Sequence, residues 1–202
     1  MIDPNKRASA GVRKATLAIR SHGYSVDQVL TPSHKSALVS TFVRAHRRLA
    51  ASCKCRVVVK TMFHTTTVES AKAILEQGFR TSGVHKAHGS VHGLGVNLSP
   101  VPDHTLIYTA KHRTACTLVC AVAIGRWHAN EGSDEEVYHT TKHSRPRKGF
   151  DAMHSQGGMI VVVPSSARVL PIAAIVHTRN RALRPGQKLV IEHDGGKSMG
   201  VA

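Results

Sequence analysis

The chain has 202 residues, 41% of them apolar, and a formal net charge of +16. That length suits one domain with a hydrophobic core, and the apolar fraction excludes a disordered polymer. No apolar run approaches the roughly 18–20 residues of a transmembrane helix, and the N-terminal MIDPNKRASAGVRK lacks the apolar core of a secretory signal, so no membrane association is expected.

Residues 1–60 hold twelve Lys/Arg against two acids, Asp3 and Asp27. Basic charge concentrated in this way favours an anionic partner, RNA or DNA first. Aromatic residues are only 4% of the chain, so base-stacking platforms are not expected. Residues 1–23 show little apolar periodicity and read as a basic tail with a short helix over 12–20. YSVDQVL (24–30) alternates as a strand does, and Pro32 ends it. Leu38, Phe42, Ala45 and Leu49 then recur at helical spacing, with Ser33 as N-cap. CRVVVKTMFH (55–64) is rich in β-branched residues and reads as a buried strand.

TTVESAKAILEQGF (66–79) is the clearest helix. Thr66 or Thr67 caps it, Ala71, Ile74 and Leu75 form its apolar stripe, and Gly78 ends it as a left-handed cap with Phe79 packing back. A glycine-rich segment, HGSVHGLGVNLSP (88–100), leads to a short helix over 103–112 and a strand over 114–125. A polar loop over 127–149 carries Glu131, Asp134, Glu135 and Glu136. Two further strands lie in GGMIVVVPS and RVLPIAAIVHT. The helices do not alternate strictly with the strands, which predicts an α+β fold.

Cys116 and Cys120 lie an even number apart in a strand, so they share a face as small hydrophobes. Cys53 and Cys55 are spaced too tightly for the usual zinc pair. All four cysteines are expected reduced, in an intracellular protein. His85, His88 and His92 sit in a Gly/Ser-rich loop with no accompanying carboxylate or cysteine, so no metal site is expected.

In order along the chain, these segments resemble the catalytic domain of the poly(ADP-ribose) polymerase family, over roughly residues 24–178. MFHTTT stands at the family's His-Gly-Thr strand, VESAKAILEQGFR at the following helix, GLGVNLS at its Gly-x-Gly-x-Tyr strand and HTLIYTA at its Ser-Ala-x-Tyr helix. TLVCAVAIG, FDAMH and MIVVVPSSARVLPIAAIV match the strand, turn and closing strand pair that follow. The resemblance implies an ADP-ribosyltransferase-like split β-sheet with a few short helices, spanning 24–180 between the tail 1–23 and a C-terminal tail 181–202. It also implies NAD bound as substrate between the half-sheets.

By the same resemblance, His64 would bond the ribose hydroxyls of NAD. Thr65 would clamp the nicotinamide amide through its backbone. Thr105 would bond the carboxamide, and Tyr108 would stack on the nicotinamide ring. The family's triad tyrosine is replaced by Asn97. Its triad glutamate falls at Ile160, counting back from Pro171, or at Met159 if the register slips by one. Breaking the nicotinamide–ribose bond builds positive charge on the ribose, which a carboxylate stabilises. Without one, the resemblance implies mono-ADP-ribosyl transfer to a protein or nucleic-acid acceptor in the nucleus or cytoplasm. The alternative is an inactive module that binds NAD, ADP-ribose or nucleic acid. A tRNA 2′-phosphotransferase, which shares the fold and the NAD substrate, ranks third.

Overall fold

The β-branched and apolar runs of the sequence become two sheets, and the helices pack on the first of them. In the computed structural model, residues 4–32, 36–53, 55–81, 93–107, 112–129, 150–155 and 159–180 are described, with Pro146 and Lys148. The elements are α1 (Pro4–Ser21), β1 (Tyr24–Leu30), α2 (Ser36–Ser52), β2 (Val58–Thr66), α3 (Val68–Gln77), β3 (Val96–Leu98) and α4 (Asp103–Leu106). They continue with β4 (Thr114–Ile124), β5 (Trp127–Ala129), β6 (Ala152–Ser155), β7 (Ile160–Val163), a 3-10 turn (Ser166–Arg168) and β8 (Val169–Arg179). The fold is α+β. None of the described helices is long and apolar enough to cross a membrane.

One sheet has the order β1-β8-β4-β2, antiparallel throughout; the other has the order β3-β7-β6-β5, with β5 and β6 parallel. β4 is buried on both faces. Cys116, Leu118, Cys120, Val122 and Ile124 enter the core between the sheets, while Val119, Ala121 and Ala123 enter the core under α1 and α2. That alternation is the period-two pattern of a strand with cover on both sides. A smaller cluster of Met153, Ile160 and Val162 lies on the other face of the second sheet.

Several expectations meet the structure at the expected residues. β1 spans Tyr24–Leu30. Thr67 caps α3, its hydroxyl accepting from Ser70 N–H at 3.2 Å. Gly78 ends that helix at a positive φ of 77 with its N–H on Ile74 O, although its ψ of 176 lies outside the left-handed helical well. Residues 33–35, 82–92, 130–145 and 181–202 lie outside the described residues, and with them the Ser33 cap, the His85, His88 and His92 set, the acidic loop and the C-terminal tail.

Two expectations are corrected. The N-terminal segment is not a tail: α1 covers 18 residues, and Ala15 and Ile19 are fully buried against the first sheet. Burying an isoleucine contributes about 1.5–3 kcal/mol, so α1 is part of the folded unit. Cys116 and Cys120 are free and buried as expected, but the sulfurs of Cys53 and Cys55 are joined in a disulfide.

Candidate functional site

Among the described residues, the two sheets touch edge to edge at a single isolated bridge. Phe63 of β2 and Ser99, just past β3, exchange main-chain hydrogen bonds of 2.8 and 2.9 Å. A continued antiparallel ladder would next pair Thr65 with Asn97. Instead, His64 Nδ1 lies 2.9 Å from the main-chain carbonyl of Asn97, so the imidazole takes the acceptor that a continued ladder would use. The carbonyl can only accept, which puts the hydrogen on Nδ1 and leaves Nε2 of the neutral ring an acceptor. Burial pushes the His64 pKa down, against the upward pull of the Asn97 carbonyl, and this favours the neutral ring.

Phe79 holds the other side of the imidazole, edge to face, with centroids 5.3 Å apart and planes at 89°. It reaches that position because Gly78 turns the chain sharply out of α3. Gly95, in the Gly-Leu-Gly run, has φ 155, and a Cβ there would lie 2.5 Å from Val163 O. Only glycine lets the chain enter β3 that close to β7.

A cavity of about 490 Å³ opens where the sheets part. Its walls include His64 and Thr66 from β2, Ser70 from α3, Phe79 and Arg80 after it, and Asn97 from β3; among the described residues that line it there is no Asp or Glu. The volume is that of a small-molecule or cofactor site. Arg80, solvent-exposed, is the one Lys or Arg among the described residues of its wall and donates to Gln77 Oε1.

The structure brings His64 and Asn97 to this cavity, but not the side chains of Thr65, Thr105, Ile160 or Met159. Thr65 points away from His64, to the opposite face of β2. Its hydroxyl lies 2.7 Å from that of Thr105 and 2.9 Å from that of Thr117, which in turn lies 3.0 Å from His177 Nε2. Thr105 donates to Pro102 O at 2.7 Å. Its one proton is thus engaged inside a buried chain, and it is not placed to bond a carboxamide in the cavity. His177 is fully buried, and its Nδ1 has no hydrogen-bond partner among the described residues. A consistent proton order runs from His177 Nε2–H through Thr117, Thr65 and Thr105 to Pro102 O.

Ile160 is 3% exposed and packs with Met153 and Val162, away from the cavity wall; Met159 is 40% exposed. Asn97 pairs with Val162, so its side chain leaves the same face of the second sheet as Val162 and Ile160. Tyr108 lies outside the described residues. Sequence reasoning did not single out Ser70, Gln77 or Arg80. The spacing of Ser70, Ile74 and Gln77 marks one helix face, which was the available signal.

The chain matches no protein-family model, and no curated protein matches it.

Proposed function

We propose that this chain binds NAD as a substrate in the cavity beside His64 and transfers a single ADP-ribose unit to a protein or nucleic-acid acceptor. The observation that carries this reading is the His64 ring, held by Asn97 O on the wall of a nucleotide-sized cavity. Nε2 of that ring suits a ribose hydroxyl, which donates to it. Arg80 suits the diphosphate. In the reaction the bond from nicotinamide nitrogen to ribose C1′ breaks, its electron pair leaves with nicotinamide, and an acceptor atom attacks C1′ as its proton passes to solvent. The described wall offers no carboxylate to stabilise the developing charge, which supports single-unit transfer over polymer formation.

The same absence favours one alternative, a module that binds NAD or ADP-ribose without turnover. The helical layer supports nucleic acid as the acceptor or anchor. α1 and α2 contain no Asp or Glu and expose Arg13, Arg20, Arg44, Arg47 and Arg48. We place the activity in the nucleus or cytoplasm, where NAD and nucleic acid are both at hand. Incubation with NAD labelled in the ADP-ribose half tests the reading. Label on the protein or on added nucleic acid, with nicotinamide released, supports transfer. Bound but intact NAD supports the module, and neither result removes both.

A further inference from the structure

At the opposite end of β2 from His64, two cysteines and a carboxylate meet. Cys53 closes α2, its N–H on Leu49 O at 2.8 Å, and Cys55 precedes β2; their sulfurs are joined. Asp151 precedes β6 of the other sheet. One ligand atom from each of the three residues lies within 4.8 Å of the other two. The carboxylate is held from two sides. Oδ2 accepts from Arg126 N–H at 2.9 Å, and Oδ1 lies 3.9 Å from Arg168 Nη1. Arg168, 9% exposed, also donates from Nη2 to the Asp151 main-chain carbonyl at 2.7 Å. A Cβ on Gly125 would stand 2.3 Å from Asp151 Oδ2 and 3.1 Å from Cys53 Sγ, so the glycine is what allows oxygen and sulfur to approach across it.

We propose that Cys53, Cys55 and Asp151 form a redox-gated site for a borderline-soft divalent cation of the zinc class. Two thiolates and a carboxylate are donors that zinc accepts, and three protein ligands leave its fourth position open. The Cys-Lys-Cys spacing is too tight to form a usual pair alone; the third donor, from the other sheet, completes the set. Two thiolates, one carboxylate, a divalent cation and the Arg168 guanidinium together carry no net charge. Arg168 also fixes the carboxylate, as outer partners of metal ligands do. The disulfide is the closed state. An external dithiol opens it, giving two electrons and two protons to the Cys53–Cys55 bond and leaving as a disulfide. The two freed thiols lose their protons to solvent as the cation binds. Cys116 and Cys120 do not compete: burial pushes the Cys116 thiol up to about 12 and that of Cys120 higher. This site is independent of the transferase reading.

The test is a cobalt(II) titration of the full chain, after phosphine reduction and again after oxidation. The reduced protein is expected to bind one cobalt with thiolate-to-metal charge-transfer absorption, displaced by zinc, and the oxidised protein to show none. Asp151→Asn is expected to weaken binding about tenfold or more, and Cys53→Ser to remove the absorption. A folded, reduced wild-type chain without that absorption overturns the proposal. So does equal absorption in the oxidised protein, or unchanged affinity in Asp151→Asn.

Discussion

His64 donates from Nδ1 to the main-chain carbonyl of Asn97 across 2.9 Å, at the point where the two sheets part. The bond fixes the tautomer, and burial lowers the pKa of the ring. Protonation would place a hydrogen on Nε2 and remove the acceptor offered to a ribose hydroxyl. NAD affinity is therefore expected to hold at neutral pH and through the ordinary histidine value of about 6.5, and to fall only in more acid solution, as the lowered pKa requires. Titrations at a series of pH values on the folded chain read this directly; affinity that rises on acidification contradicts it.

His177 predicts a separate acid dependence of stability. Burial lowers its pKa to about 4, with Asp27 pulling weakly upward. The unfolded value is about 6.5, so the unfolded chain binds the proton more tightly. The neutral ring's contribution is full above about 6.5 and is lost as pH falls through about 4, at a cost on the order of 3 kcal/mol. Denaturant unfolding at pH 7 and pH 4.5 is expected to show the loss, and His177→Gln, which keeps a donor for Thr117, is expected to flatten it. An equal slope in the variant assigns the acid sensitivity elsewhere.

Ile160 and Met159 separate two registers of the closing strand. Ile160→Glu buries a carboxylate among Met153 and Val162 and is expected to cost about 3–5 kcal/mol. Met159→Glu, at a position 40% exposed, is expected to stay within about 0.5 kcal/mol of wild type. Thermal melts of both variants decide the matter, and a fully stable Ile160→Glu contradicts the observed packing.

The elements that were legible in the sequence were those with strong local chemistry. Tyr24–Leu30 is bounded by Gly23 and Pro32, and α3 carries its own cap and stop. The helix expected over 12–20 is the C-terminal half of α1; its full length and burial were missed because the inward stripe, buried Ala15 and Ile19 with partly buried Ala8 and Val12, is correctly spaced for a helix but half alanine. The resemblance assigned His64 and Asn97 to one site but not the bond between them, and the bond of Thr65 to Thr105 joins positions 40 apart and has no local signature. Nothing in the Cys53-Lys-Cys55 triplet itself reveals Asp151, which stands just ahead of β6 in the other sheet.

The proposed nucleic-acid face is the surface of α1 and α2, and its test is charge reversal rather than removal of residues 1–23. Truncation would take Ala15 and Ile19 out of the core; Ile19→Ala alone is expected to cost about 2–5 kcal/mol. Reversing Arg13, Arg44, Arg47 and Arg48 to Glu is expected to weaken RNA or DNA binding evenly across sequences. Each lost phosphate contact should flatten the salt slope by about one. Unchanged affinity in the quadruple variant, measured at low salt, contradicts a nucleic-acid face here.

Calorimetric titration of NAD into the wild-type chain and into His64→Ala tests the central claim most directly. The wild type is expected to bind at a single site. The variant, still folded, is expected to bind about tenfold more weakly, as loss of one hydrogen bond worth about 1.4 kcal/mol requires. No binding by the folded wild type, or equal affinity in His64→Ala, contradicts an NAD site at the parting of the sheets.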